Sequence, residues 1–199
     1  MPPPVLYYIR HGETAWNVEA RLQGQRDIPI NANGRAQGYR CGEVLRDLLE
    51  RDAIDPGSLD FVSSPLGRTR ETMERLRAVL RLDPATYRTD PRLTEVSFGQ
   101  WEGFSLAELR ARFPEAIAAR ERDKWNFTPP DAESYAAMSR RMREWYDTLS
   151  RDTVAVAHGG TFRGLIVQLG IASAQEAPFL DVVQGVVYVI QQGTVARYA

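Results

Sequence analysis

Arg10-His11-Gly12-Glu13-Thr14 follows directly on the apolar run Val5-Leu6-Tyr7-Tyr8-Ile9, and the second histidine of the chain repeats the arrangement: Thr153-Val154-Ala155-Val156-Ala157 runs into His158-Gly159-Gly160-Thr161. These are the only 2 histidines. Short apolar runs rich in β-branched and aromatic residues read as buried strands, and ligand crevices of open α/β sheets form at the carboxyl ends of strands. If the two strands are neighbours in one parallel sheet, both imidazoles enter the same crevice. A third strand, Asp60-Phe61-Val62-Ser63, leads into Ser63-Ser64-Pro65-Leu66-Gly67-Arg68-Thr69, which places Arg68 in the first turn of a helix running to about Arg81. The serines and Pro65 supply capping and a first-turn proline. Two arginines and two histidines converging with a helix N-terminus make an anion site, and the planar guanidinium fork matches phosphate. Strict alternation would send Arg10 and His11 to opposite faces of the sheet. The strand must therefore end there, and Gly12 permits the bend.

The elements that position these groups follow from the patterning. At 199 residues the chain is long enough to bury a sizeable core. A formal net charge of -1 argues against nucleic acid or an anionic membrane as the main partner. One cysteine, Cys41, excludes an internal disulfide framework and fits a reducing compartment; its place in an amphipathic helical pattern makes it a packed thiol. Met1-Pro2-Pro3-Pro4 carries no basic-then-apolar signal pattern, and Val182 to Ile190 is too short to span a bilayer, so a cytoplasmic location is expected.

The polar loop after the first strand precedes a helix from about Gly34 to Arg51, in which Cys41, Val44, Leu45, Leu48 and Leu49 recur at helical spacing. Short helices are expected over Ser105 to Arg112 and Glu115 to Asp123, broken by Pro114, then longer ones over Ser134 to Ser150 and Thr161 to Ile171. Trp101, Trp125 and Trp145 read as packing residues. The chain closes on a hairpin, Gly185 to Ile190 and Thr194 to Tyr198, joined through Gln191-Gln192-Gly193. The fold class is thus α/β: a three-layer αβα sandwich with a mostly parallel central sheet, an antiparallel C-terminal edge and a small helical cap. Residues 1–199 are expected to form one domain, with residues 104–130 as a cap insertion where substrate choice resides. The oligomeric expectation is a monomer or homodimer.

The chain resembles the histidine phosphatase, or phosphoglycerate-mutase-like, superfamily. Arg10-His11-Gly12-Glu13-Thr14 with Trp16-Asn17 matches its first motif, and Arg21-Leu22-Gln23-Gly24 with Asp27 and Pro29 its substrate loop. Ser63-Ser64-Pro65-Leu66 with Arg68-Thr69 matches the second arginine motif, Leu93-Thr94-Glu95 with Phe98-Gly99 and Trp101-Glu102-Gly103 the acid motif, and Ala157-His158-Gly159 the second histidine. The resemblance implies that His11 attacks phosphorus to give a phosphohistidine that water hydrolyses. It further implies that Arg10, Arg68 and His158 hold the phosphoryl oxygens, with Asn17 and the Gly159 backbone as donors and Gln23 and Gly24 in the substrate loop. Glu95 would be the general acid. An ordinary glutamate is ionised at neutral pH, so that role requires it to hold its proton beside a phosphate dianion. No metal and no cofactor is implied.

Glu13 is expected to orient neighbours, Thr14 to cap the following turn, and Glu133 either to serve a helix N-terminus or to stand at the site mouth. The expected activity is a metal-independent phosphomonoesterase acting on small phosphorylated metabolites. The alternatives are a phosphoglycerate mutase and a non-catalytic phospholigand-binding module. Mutases of this superfamily carry an arginine and a tyrosine soon after the general acid and longer chains with a C-terminal tail. Here Glu95 is followed by Val96-Ser97-Phe98 and the sequence stops after the final strand, both of which favour hydrolysis.

Overall fold

A computed structural model describes residues 3–199; Met1 and Pro2, the start of the N-terminal stretch considered above, lie outside the described residues. The first strand, β1, covers Leu6–Arg10 and is buried along almost its whole length. It lies in the middle of a six-stranded sheet of order β3-β2-β4-β1-β5-β6, whose other members are β2 (Asp60–Ser63), β3 (Arg88–Thr89), β4 (Thr153–Ala157), β5 (Val187–Gln191) and β6 (Thr194–Tyr198). β1, β2, β3 and β4 run parallel, whereas β5 pairs antiparallel with both β1 and β6. The sheet is therefore mostly parallel with an antiparallel edge, as its patterning predicts. Both turn residues of the closing hairpin, Gln192 and Gly193, take positive φ, as a two-residue turn between twisted strands requires.

Helices cover both faces of the sheet, so its central strands read as continuous apolar runs. On one face α2 (Ala32–Arg51) and α3 (Gly67–Val79) pack on Tyr7, Ile9, Phe61, Val154 and Val156 through Leu45, Leu49, Met73 and Leu76. On the other, α6 (Tyr135–Tyr146) and α7 (Gly159–Gln168) pack on Leu6, Tyr8, Val62, Ala155 and Ala157 through Met138, Met142, Trp145, Phe162 and Leu165. A single turn of helix, α1 (Ala15–Val18), follows β1. Two short helices, α4 (Leu106–Arg112) and α5 (Pro114–Arg122), share a small core of their own around Trp101, Leu109 and Ile117, with Phe127 stacked on Trp101. Pro114 begins α5 at its first position, where the missing N–H costs nothing. Ser105 caps α4 in a capping box with Glu108, and Ser134 caps α6. Among the described residues no helix is long and apolar enough to cross a membrane.

Cys41 is buried in the α2 face of the core and its thiol is pushed up to about 12 by burial, which makes it a packing group. α2 and α3 approach closely enough that a Cβ on Gly42 would stand 2.7 Å from Val79 Cβ and 2.9 Å from the Leu76 carbonyl oxygen. Gly42→Ala should accordingly lower stability by about 1–3 kcal/mol, the cost of overpacking, as read from the urea-unfolding midpoint; an unchanged midpoint would contradict this packing.

Candidate active site

β1 and β4 are adjacent and in register from Leu6 with Thr153 to Arg10 with Ala157, so His11 and His158 leave the sheet side by side. The His11 N–H still donates to the Ala157 carbonyl at 3.0 Å, which holds the two exits together. The imidazole centroids are 5.2 Å apart, with the ring planes inclined at 59°. Both rings are buried.

Each ring is oriented by a specific neighbour. His11 Nδ1 lies 2.8 Å from the Gly12 carbonyl oxygen. A carbonyl can only accept, which assigns the proton to Nδ1 and leaves the lone pair on Nε2. His158 Nε2 lies 2.9 Å from Ser64 Oγ at the end of β2. The His158 backbone is held by the Tyr8 hydroxyl, which donates to its carbonyl at 2.8 Å and faces Thr161 Oγ1 at 2.7 Å. Burial, then the charge of Arg68, pushes both histidines well below their ordinary range, so both are neutral at pH 7.

Arg68 is fully buried in the first turn of α3, as its spacing after β2 predicts. It makes no ion pair with a carboxylate among the described residues; Nη1 donates to the Arg26 carbonyl at 2.5 Å and Nη2 to the Gly24 carbonyl at 2.7 Å. Arg10 donates through Nη1 to the Val182 carbonyl at 2.7 Å. Three buried polar atoms of this cluster have no hydrogen-bond partner among the described residues: Arg10 Nε, Arg68 Nε and His158 Nδ1. Buried polar groups are ordinarily satisfied, so unpartnered ones gathered at strand ends are groups that a bound ligand could satisfy.

Glu95 comes to the same crevice from the loop after β3. Its Oε2 accepts from Gly160 N at 3.1 Å and its Oε1 from Val96 N at 2.9 Å. A Cβ on Gly160 would fall 2.3 Å from Glu95 Oε1, so a side chain there would displace the carboxylate. Asn17 closes the Thr14 capping box of α1 and accepts from Gln184 Nε2 at 3.1 Å, while the same Gln184 nitrogen donates to the His11 carbonyl at 3.0 Å. Gly159 opens α7, directly after His158. Gln23 is buried with Oε1 unpartnered, and Gly24 serves Arg68 through its carbonyl. Glu13 accepts from Asn31, the cap of α2, and Glu133 is paired with Arg141 at 2.6 Å while also accepting from Ser97 N. Glu133 is thus a brace behind the Glu95 loop, since Arg141 also donates to the Glu95 carbonyl.

Two expectations are corrected. Ser63, Ser64 and Pro65 do not cap α3: Leu66 stands at the cap position without a side-chain bond, and the Asp27 carboxylate accepts from Gly67 N at 2.8 and 2.9 Å. A carboxylate at that end suits the helix dipole, and Ser64 is freed to meet His158. Gly12 does not serve as a left-handed bend; it is glycine because a Cβ would fall 2.2 Å from the Gly34 carbonyl oxygen where α2 begins. Sequence reasoning missed Ser64, Tyr8 and Gln184 as partners of the histidines. Tyr8 sits inside an apolar run and Gln184 in a loop far from β1, so neither carried a local signal.

A cleft of about 660 Å³ opens at the opposite edge of the sheet, between Leu59, Phe61, Arg77 and Tyr87, and contains none of these residues. The two histidines should give no titration of their Cε1 proton resonances between pH 6 and pH 8, because both stay neutral. A resonance titrating with a midpoint near 6.5 would contradict this. The same depression makes stability fall with acid: below the ordinary histidine value the unfolded chain binds protons that the folded chain refuses, at about 1.4 kcal/mol per pH unit per histidine.

The glucosyl-3-phosphoglycerate phosphatase of Mycobacterium tuberculosis is 34% identical over 178 residues, covering 82% of this chain and 74% of that one. A 2,3-bisphosphoglycerate-dependent phosphoglycerate mutase of Gloeobacter violaceus is 25% identical over 185 residues, 89% of this chain and 81% of its own. Among solved structures, one described as a putative alpha-ribazole-5'-P phosphatase from Escherichia coli superposes with a TM-score of 0.80 at 25% identity, over 98% of this chain and 95% of that one. The model of the histidine phosphatase superfamily, branch 1, matches residues 6–193, and the chain therefore belongs to that superfamily.

Proposed function

We propose that the protein is a metal-independent phosphomonoesterase that passes the phosphoryl group through His11. The observation that carries this reading is the Nδ1 contact to the Gly12 carbonyl, which leaves a neutral imidazole with its Nε2 lone pair beside two buried, unpaired guanidinium groups. In the first step Nε2 attacks phosphorus, the N–P bond forms and the bond to the ester oxygen breaks. The departing alkoxide takes a proton from Glu95. In the second, water attacks phosphorus, its proton passes to the Glu95 carboxylate, and the N–P bond breaks to release phosphate. Arg10, Arg68 and His158 hold the equatorial oxygens, with Asn17 and the Gly159 backbone beside them. Such groups are most effective in a desolvated site, where they need no reorganisation.

The contacts of Glu95 with Gly160 N and Val96 N suit its carboxylate form, the base of the second step. A phosphate dianion arriving against it favours the protonated form needed in the first. The segment carrying α4 and α5 acts as the cap over the substrate loop, and the substrates are small phosphate esters. A mutase reading has the Gloeobacter relative in its favour. Against it stands Val96-Ser97-Phe98 after Glu95, where the likeness to mutases asks for an arginine and a tyrosine; Val96 is instead packed in the core.

Phosphate release from an ester panel, with a chelator present, should be lost in His11→Ala; retention of release would overturn the nucleophile assignment. Glu95→Gln should lower the rate of the first step, read as the single-turnover burst of released alcohol, by about 10²–10⁴-fold for alkyl phosphates and spare that burst for p-nitrophenyl phosphate, whose leaving group departs unprotonated. Equal losses on both would remove the general-acid role. Turnover confined to phosphoglycerate isomerisation would establish the mutase instead.

A further inference from the structure

Charge kept from water is stable only when paired. Among the described residues, the buried or half-buried cations without a carboxylate in ion-pair range are Arg10, Arg68, Arg77, Arg120, Lys124 and Arg163. Arg77 lies far from the histidines, over the Phe61 ring. The other five gather on one side of the molecule. Arg10 and Arg68 are accounted for by the phosphoryl group; the remaining three are not.

Their arrangement is regular. Alternate carbonyls of the segment Pro178 to Val182 accept from three cations in turn: Pro178 from Lys124 Nζ, Leu180 from Arg163 Nε at 2.8 Å, and Val182 from Arg10 Nη1 at 2.7 Å. The segment leaves the short 3-10 turn Ala177–Phe179 and runs on to Val182, so its carbonyls hold the three cations in a row that begins at Arg10 beside the phosphoryl position. The near end is shared: Arg10 Nε and Arg163 Nη1 each lie 3.5 Å from the place a Cβ on Gly159 would occupy. At the far end Lys124 lies 4.5 Å from the centre of the Phe179 ring. Burial, with Arg120 and Arg163 as like-charged neighbours, pulls Lys124 down to about 8. Neutral carbonyls and an aromatic face hold these groups in place but do not cancel their charge. Asp181 is exposed and pairs with none of them.

We propose that the row formed by Arg163 and Lys124, with Arg120 behind them, receives a second anionic group on the leaving-group side of the ester, so that the preferred substrates are phosphate monoesters of small acids or bisphosphates. This rests on the hydrolytic reading of the site. The phosphoryl group sits between the histidines and Arg10, and the second acid falls on Arg163 or, in a longer substrate, on Lys124. Esters of neutral alcohols leave the row uncompensated.

The test compares paired substrates: 3-phosphoglycerate with glycerol 3-phosphate, and fructose 1,6-bisphosphate with fructose 6-phosphate. The first pair reads a carboxylate and the second a phosphate. The native protein should favour the acidic member of at least one pair in kcat/KM by roughly ten- to hundredfold. Lys124→Met should erase most of that preference for the longer member, and Lys124→Arg should restore it. Calorimetric binding to His11→Ala is measured beside turnover. Equal kcat/KM within both pairs, unaffected by Lys124→Met, would overturn this inference while leaving hydrolysis intact. No turnover, with tighter binding of the acidic members that Lys124→Met abolishes, would sustain the subsite and remove the hydrolytic reading. Equal binding within both pairs in the absence of turnover would remove both.

Discussion

Cationic guanidinium groups held out of water beside two imidazoles are the constraint from which the rest of the site follows. Burial first, and the charge of Arg68 second, push both histidines down, and because a buried arginine does not give up its proton they stay neutral. Neutrality is what a nitrogen nucleophile requires. The electrostatic arrangement that would bind a phosphate is therefore also the arrangement that keeps the attacking lone pair free.

Holding that cluster requires backbone. Arg68 is gripped by carbonyls of the loop through Gly24 and Arg26, Arg10 by the carbonyl of Val182, and His11 by its neighbour Gly12. The loops are fastened in turn. Glu102 accepts from Gln25 N and Phe98 N and so links the loop around Arg68 to the one bearing Glu95. Asp27 fixes the same loop to the start of α3. Glu133 and Arg141 brace the Glu95 segment from α6. Carbonyls and distant carboxylates thus replace direct ion pairs, leaving Arg10 Nε and Arg68 Nε buried without a hydrogen-bond partner among the described residues.

Much of this was legible in the sequence because it is written in local pattern. β1 and β4 are apolar runs that end where the basic residues begin, and Arg68 stands in the first turn of the helix that follows β2; adjacency in the sheet then does the rest. What escaped was non-local. Asp27 caps a helix whose first residue lies 40 positions later, and Ser64 spends its hydroxyl on a histidine across the sheet in place of its own helix. Gly12 was expected to bend, yet its reason is a contact with Gly34, which no pattern around residue 12 announces. Arg163 reads in sequence as one more polar position on α7; only the fold shows it sharing the space over Gly159 with Arg10.

The central claim is that phosphate passes through His11. Its most direct test is rapid acid-free quenching of the protein with a turning-over phosphate ester, followed by intact-mass and peptide mapping. A single added phosphoryl group, stable to alkali, labile to acid and located on His11, is the expected result. Turnover without a phosphorylated intermediate, or the phosphoryl group on His158 or any other residue, would contradict the account.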